Sequence, residues 1–569
     1  MKVVIVGGVA GGATAAARLR RLDEKAEIVV FERSGYISYA NCGLPYYIGG
    51  SIANPKALTL QTPSSFLSRF NVQMKVRHEV LSIDRAKKSV TVKNLETGEI
   101  FEESYDKLIL SPGAKPTRPP FAGMDSDKLF TLRTVEDTFK IKTFVEETAP
   151  KSAVMIGGGF IGIELAENLR ELGLNVTVVE KSTQLLSPLD PDMASFVHAE
   201  MRQAGVTLAL GQSVSGFAER DGGIDVLLEN APAIHADMAV LAIGVTPDTP
   251  LAKEAGLETG IRGAILVNDR METSDPDIYA VGDAVQIKHL VTGKDALISL
   301  AGPANKQGRI AADNICGGDS RFVGAQGSSV IKIFSLTAAS TGINETAAKA
   351  AGIDADKVIL SPMSHAGYYP GGKVMTVKVV FEKGTYRLLG AQIVGYDGVD
   401  KRIDVLATAI FAGLKATQLK DLDLSYAPPY SSAKDPVNMA GYMIDNIANG
   451  TLKQWFVEDE ATLPRDGSVF LLDSRTPAEY ERGHVADFVN IPVDELRARI
   501  DEVPAGKPVY VICQSGLRSY IASRILEGLG WEAYNFAGGF RFYDAVMNDR
   551  ALIQQSLDCG MDAGEPLQA

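Results

Sequence analysis

The stretch Ala153-Val154-Met155-Ile156-Gly157-Gly158-Gly159-Phe160-Ile161-Gly162 decides the fold. It is a buried-strand pattern running into GxGxxG, and the pattern after it is helical. The next strand, Val176-Thr177-Val178-Val179, ends on Glu180. Glycines at the strand-to-helix turn let a pyrophosphate approach the helix N-terminus, and an acid ending the second strand accepts hydrogen bonds from ribose hydroxyls. Gly157, Gly159, Gly162 and Glu180 are therefore expected to bind a dinucleotide. The carboxylate repels a 2′-phosphate, which favours NADH over NADPH, although Lys181 beside it works against strictness.

A second such unit opens the chain. The strand Val3-Val4-Ile5-Val6 leads into Gly7-Gly8-Val9-Ala10-Gly11-Gly12 and a helix over 13–22, and Ile28-Val29-Val30-Phe31 ends on Glu32. Val9 stands where the second glycine of the pattern usually lies. Two dinucleotide units in one chain of 569 residues predict a two-nucleotide enzyme of roughly four domains, at about 150 residues each.

Further segments resemble the glutathione-reductase-like flavoproteins. Thr273-Ser274-Asp275-Pro276-Asp277-Ile278-Tyr279-Ala280-Val281-Gly282-Asp283 is similar to their second FAD fingerprint. Leu108-Ile109-Leu110-Ser111-Pro112-Gly113-Ala114 is similar to the crossover out of the FAD domain, and Gly244-Val245-Thr246-Pro247-Asp248 to the return. The resemblance implies FAD bound by Gly7, Gly11, Gly12, Glu32, Arg33, Asn41, Pro112, Gly113, Asp283 and Ala301, with NADH in the second unit.

Within that class Cys42, in Ser38-Tyr39-Ala40-Asn41-Cys42-Gly43-Leu44-Pro45, narrows the chemistry. No second cysteine is near it in sequence, so its redox partner is a sulfur from outside or its own oxidised state. The paired-cysteine motif of the lipoamide and glutathione enzymes is absent. Ala10 occupies the position where single-cysteine peroxidases and oxidases carry histidine, which argues against peroxide or oxygen as substrate. Residues 1–445 resemble coenzyme A-disulfide reductase, through Val9-Ala10-Gly11-Gly12-Ala13-Thr14, Arg18-Leu19-Arg20-Arg21 and Ser425-Tyr426-Ala427-Pro428-Pro429-Tyr430 with the following Ser431 to Asp435. The resemblance implies coenzyme A held by Thr14, Arg18, Arg21, Ser38, Asn41 and Lys434, and active-site tyrosines at Tyr368 and Tyr426. The family's lysine near the end of the helix at 66–70 is not matched: Arg69 and Phe70 stand there. Without the resemblance, Arg18, Arg20 and Arg21 read as a solvated helix face. Because Cys42 lies just before Pro45 and a short helix, its thiol is expected to be held as thiolate.

About 120 residues lie beyond the reductase pattern. Val469-Phe470-Leu471-Leu472-Asp473-Ser474-Arg475, Gly483-His484, Cys513-Gln514-Ser515-Gly516-Leu517-Arg518-Ser519 and Ala537-Gly538-Gly539-Phe540 look like a rhodanese domain. A six-residue loop from Cys513 to Arg518 is expected to wrap N–H groups and a guanidinium around the sulfur, stabilising thiolate or persulfide. Phosphatases related to rhodaneses use a loop one residue longer.

The expected architecture is α/β: two Rossmann-like dinucleotide-binding domains for FAD and NAD, an α+β dimerisation domain and a C-terminal α/β rhodanese domain. The expected boundaries are 1–116 and 246–321 for FAD, 117–245 for NAD, 322–445 for dimerisation, 446–459 for a linker and 460–569 for rhodanese. Catalysis is assigned to Cys42, Cys513, Tyr368, Tyr426 and Arg518, with FAD, NADH and coenzyme A as cofactors and no metal. The reading is an NADH-dependent persulfide or polysulfide reductase, working through Cys42 with sulfane sulfur handled by Cys513. The alternatives are a coenzyme A-disulfide reductase with a regulatory rhodanese domain and a flavoprotein with a docking module. Net charge −13 disfavours nucleic acid and anionic membranes as partners. Four scattered cysteines, the absence of a signal-peptide pattern and the lack of a long apolar run fit a cytoplasmic protein, and the resemblance implies a homodimer. Cys316 is expected to be structural, and the tail from Asp558 onward disordered.

Overall fold

Five short apolar runs form the first sheet. In the computed structural model, which describes residues 1–562, strands Ile278–Ala280, Lys107–Leu110, Lys2–Val6, Glu27–Glu32 and Gln73–Val76 lie side by side in that order, all parallel. Val3, Val4 and Ile5 are fully buried, as strands covered on both faces require. Helices Ala10–Leu22 and Ala301–Ile315 pack together on this sheet. Only glycine permits that contact, since a Cβ on Gly308 would lie 2.4 Å from the Gly11 carbonyl oxygen.

The second sheet repeats the design with Leu129–Phe130, Met238–Leu241, Ser152–Ile156 and Asn175–Glu180 in parallel. A short antiparallel pair, Ala114–Pro116 with Val245–Pro247, links the out and return crossovers. These elements fall in one unit, residues 1–181 with 212–327.

The other unit holds residues 182–211 and 328–569. Its first sheet is antiparallel, ordered Ser329–Ile333, Leu336–Gly342, Leu388–Gly395, Met375–Glu382, Ala355–Leu360. Lys378 is fully buried in it. Burial opposes its charge, but Asp192, Asp190 and Glu345 at 2.5 to 3.0 Å hold the ammonium above its usual range.

The last sheet is parallel, ordered Gln454–Trp455, Ala533–Phe536, Val509–Ile512, Phe470–Asp473, Val489–Asn490. It corrects the expected linker at 446–459. Helix Pro436–Ala448 runs past 446, and Gln454–Trp455 is already an edge strand. Trp455 anchors it, donating from its indole nitrogen to the Val511 carbonyl and packing on Phe488 and Phe536.

The expected disorder from Asp558 is corrected for 558–562. Helix Phe540–Cys559 continues through Asp558, and buried Asp562 accepts from Arg202 Nε at 2.7 Å and the Leu208 amide at 3.0 Å. Ser556 Oγ donates to the Leu210 carbonyl, and Asp549 pairs with His198 and Arg202. Residues 563–569 lie outside the described residues. No helix among the described residues is long and apolar enough to cross a membrane.

Candidate active sites

Each dinucleotide turn closes by a contact that only glycine allows. A Cβ on Gly12 would sit 1.9 Å from the Gly7 carbonyl oxygen, and one on Gly162 would sit 2.0 Å from that of Gly157. Gly7 and Gly157 adopt φ of 99° and 110°. Gly8 N–H donates to Glu32 Oε2 at 2.8 Å, and Gly158 N–H to Glu180 Oε2 at 2.7 Å. Both acids are thereby fixed at their turns. Ser34 N–H engages the other Glu32 oxygen at 2.8 Å.

The helix ends show what the turns are for. Helix Val135–Thr148 starts with a capping box from Thr134 and Asp137. By contrast, helices Ala10–Leu22, Phe160–Glu171 and Ala301–Ile315 start with no side-chain cap. Their first N–H groups are left for an anion. Gly159, the N-cap of the second, has nothing within 4 Å of where a Cβ would sit, so packing does not demand glycine there. An uncapped helix end, a fixed acid and an open glycine face together fit a bound dinucleotide.

The remaining residues expected at FAD occupy the same unit with protein partners. Arg33 pairs with Asp248 at 2.6 Å, and Asp283 with Arg133 at 2.8 Å. Gly113 takes φ of 71° just after Pro112. Ala301 is the first residue of its helix.

Cys42 lies in the 3-10 turn Asn41–Gly43 before the five-residue helix Leu44–Ile48, with Pro45 in that helix's first turn. Asn41 and the free thiol of Cys42 are exposed. The expected thiolate is corrected for the protein alone. Loss of hydration from the surrounding protein raises the thiol pKa first, Glu164 and Asp283 raise it further, and Arg133 alone opposes them. Glu164, on helix Phe160–Glu171, is itself pushed up to about 7, by burial first and then by Glu167. No motif marks Glu164 in the sequence, although the glycine turn marks the helix that carries it.

The residues expected at coenzyme A are less uniform than one arginine-rich face. Thr14 donates to Asn305, and Arg18 pairs with Asp313 at 2.6 Å. Arg21 and Lys434 are exposed, and Ser38 adopts φ of 43°. Arg20 departs from the solvated-face reading. It is 5% exposed and donates to five backbone carbonyls, those of Phe70, Asp23, Glu24, Ala26 and Asn71. In the second unit, the hydroxyls of Tyr368 and Tyr426 are 2.7 Å apart, on rings that are 76% and 45% exposed.

Around Cys513 the strand Val509–Ile512 delivers a buried sulfur to the N-terminus of helix Leu517–Gly528. The sulfur accepts from Gly516 N–H and from Ser519 Oγ, each at 3.1 Å. The loop packs beneath Gly539, whose Cβ would meet Ser515 at 2.6 Å. The Arg518 guanidinium lies within electrostatic reach of Cys513 but spends its hydrogen bonds on Glu479. Both terminal nitrogens of Arg518 donate to Glu479 at 2.7 Å, which is the stronger, bidentate choice. That pairing first, with Thr476 hydrogen bonds adding to it, holds the Glu479 carboxyl down at about 2 against partial burial. Ser519 ends the rhodanese-like motif, and only the fold shows that its hydroxyl turns back onto the sulfur.

Residues 1–308 match the family model for pyridine nucleotide-disulphide oxidoreductase, residues 328–436 its dimerisation domain and 457–545 the rhodanese-like domain. The chain belongs to the pyridine nucleotide-disulphide oxidoreductase family. Within it, the chain is 37% identical over 442 residues to coenzyme A disulfide reductase of Staphylococcus epidermidis, covering 78% of this chain and 99% of that one. Two solved structures share the whole arrangement, rhodanese region included. Reduced Bacillus anthracis CoADR-RHD is 48% identical with a TM-score of 0.94, covering 96% of this chain and 98% of that one. A NAD-dependent persulfide reductase from A. fulgidus is 39% identical with a TM-score of 0.90, covering 95% and 100%. The family binds FAD and NAD(H), in agreement with the two glycine turns.

Proposed function

We propose that this flavoprotein reduces persulfides and polysulfides, coenzyme A persulfide among them, with NADH. The observation that carries the reading is one chain holding two different sulfur sites: an exposed, unbridged Cys42 in the flavoprotein unit, and Cys513 in a nest of donors. The relatives named for coenzyme A disulfide and persulfide reduction support it.

The overall reaction balances as RSSH + NADH → RSH + HS⁻ + NAD⁺, with the hydride's two electrons ending on the departing sulfur. Bound FAD supplies the relay of those electrons from nicotinamide to sulfur. The chain's own residues do the rest. Gly157, Gly159, Gly162 and Glu180 orient NADH, and Glu32 and the first turn hold FAD. Deprotonated Cys42 attacks the substrate S–S bond, which breaks to release hydrosulfide and leaves a Cys42–S–S–R mixed disulfide. Two electrons then cleave that bond to return RSH and Cys42. Glu164, with a pKa near 7, exchanges protons beside it. Cys513 carries sulfane sulfur, its charge stabilised by Gly516 N–H and the Ser519 hydroxyl. Thr14, Arg18, Arg21, Ser38, Asn41 and Lys434 receive coenzyme A, and the Tyr368 and Tyr426 hydroxyls orient the departing thiolate. The working unit in this reading is a homodimer, which the match to the dimerisation domain supports, and four free thiols suit a reducing cytoplasm.

The test is sulfide release from NADH plus coenzyme A persulfide. Cys42→Ser is expected to abolish it, and Cys513→Ser to abolish sulfur transfer while sparing reduction of preformed persulfide. Full turnover in Cys42→Ser overturns the reading. A kcat/KM for coenzyme A disulfide exceeding that for persulfides, unchanged in Cys513→Ser, favours the disulfide-reductase alternative instead.

A further inference from the structure

In the second unit an open pocket of about 770 Å³ is lined by Glu200, Gln203, Phe334, Lys373, Tyr396 and Arg541, among others. None of these residues belongs to the sites above. The volume is that of a small-molecule site.

Its lining carries two cations, Lys373 and Arg541, against one anion, Glu200, whose oxygens are taken up by neutral donors. The Glu200 carboxylate accepts from Ser335 Oγ at 2.6 Å, Ser335 N–H at 3.1 Å and the Tyr396 hydroxyl at 3.0 Å. Both of its oxygens are therefore engaged. Arg541 has no such partner. It lies on helix Phe540–Cys559, makes one long contact to Thr376 Oγ1 at 3.4 Å and stacks 5.3 Å from the Phe196 ring centroid. No carboxylate pairs with Arg541 or Lys373 among the described residues. A half-buried guanidinium with no carboxylate paired directly to it is unusual, because the cost of drying it is normally met by an acid in contact. Burial accordingly pulls its pKa down. The site presents an oriented, partly dehydrated fork for a planar array of oxygens.

Part of the lining is aromatic. Phe334 is the first residue of the two-residue turn between strands Ser329–Ile333 and Leu336–Gly342, and it holds φ of 52°. Glycine, asparagine or aspartate suits that position, and a bulky ring there is strained. Tyr396, 43% exposed, stands on the same pocket. Neither ring packs on another aromatic among the described residues. The strained residue keeps an available ring face at the pocket's edge.

We propose that this pocket binds a nucleoside phosphate, with the base on Phe334 and Tyr396 and the phosphate on Arg541 and Lys373. The probe is 5′-AMP, titrated calorimetrically into full-length enzyme with FAD bound and with saturating NAD⁺ and coenzyme A to fill the other nucleotide sites. One further saturable site is expected, weakened at least tenfold by Arg541→Gln and severalfold by the surface substitution Lys373→Ala. Phe334→Gly is expected to weaken it while relieving the turn, so a raised melting temperature with lost binding separates the ring's role from folding. Thermal melts and NADH turnover should otherwise match the wild type. No additional heat under those conditions overturns the proposal, as does equal affinity in Arg541→Gln and Lys373→Ala. Inorganic phosphate binding as tightly as 5′-AMP overturns the role given to the rings.

Discussion

The Ser519 hydroxyl lies 3.1 Å from the Cys513 sulfur and donates to it from the first turn of the next helix. With Gly516 N–H it makes a two-donor nest, while Arg518 between them serves Glu479. Hydrogen bonds to a charged acceptor contribute about 1.5–3 kcal/mol. Ser519→Ala is therefore expected to lower thiosulfate sulfurtransferase activity by about 10- to 100-fold with little change in fold. Ser519→Thr, which keeps the hydroxyl, should recover most of it. Full activity in the alanine variant would remove Ser519 from the nest.

Glu479 holds Arg518 through a carboxyl depressed to about 2. The stability this gives is complete above the ordinary glutamate value near 4.5 and is lost as pH falls toward 2. Glu479→Gln should lower the rhodanese melting transition at pH 7, and the gap from wild type should narrow on moving below about pH 4.5. A gap that stays constant from pH 7 to 3.5 contradicts the pairing. Glutamine keeps the shape but offers one acceptor oxygen instead of two, so the ion pair and one Arg518 hydrogen bond are lost together.

Glu164 carries the opposite sign. Its carboxyl, raised to about 7, favours the folded state while protonated, and that advantage is lost as pH rises from 4.5 through 7. Glu164→Gln is expected to leave the melting temperature unchanged at pH 5 and to raise it at pH 8. Removing the charge also removes one cause of the raised Cys42 thiol pKa, so alkylation of Cys42 by iodoacetamide at pH 8 should speed up severalfold. The cleanest measurement uses protein with the other three cysteines replaced. An unchanged alkylation rate would place Glu164 outside electrostatic reach of the thiol.

Arg20 marks the limit of what the sequence makes legible. The periodicity of helix Ala10–Leu22 distinguishes its buried face, yet a run of Arg18, Arg20 and Arg21 looks equally polar at all three positions. Which of them is buried depends on carbonyls 50 residues away, at Phe70 and Asn71. Arg18 likewise waits for Asp313. By contrast, Glu32 and Glu180 are legible because the acid and its glycine turn belong to one local unit. The rhodanese cysteine is legible for the same reason. The partner that takes the hydrogen bonds of Arg518 is not legible locally, because Glu479 lies 39 residues earlier. In the protein alone the Cys42 thiol is pushed up, by burial first and then by Glu164 and Asp283, which come from other segments. Local geometry is written in short motifs, whereas the choice of charge partner is made by the tertiary fold.

Arg20→Met keeps the apolar stem and removes every donor, leaving five carbonyls to find water or go unsatisfied. The expected loss is about 2–4 kcal/mol. It should appear as a lowered melting temperature and easier release of FAD, with kcat per bound flavin unchanged. A fall in kcat without loss of stability would instead put Arg20 in ligand binding.

Two glycines of one motif should answer differently to the same substitution. Gly162 faces the Gly157 carbonyl oxygen at 2.0 Å from a Cβ, and backbone on both sides cannot yield. Gly162→Ala should therefore separate helix from strand and cost folding, seen as lower soluble yield and melting temperature. Gly159 has ordinary φ of −83° and open space around its Cβ, so Gly159→Ala should fold as well as the wild type. What the added methyl meets is the dinucleotide, drawn close to the backbone at the helix end. The KM for NADH should rise about tenfold, the effect of losing roughly 1.4 kcal/mol of binding, while FAD content and sulfur transfer by Cys513 stay constant. If Gly159→Ala left the KM for NADH untouched, the open face at this turn would not be where the pyrophosphate lies.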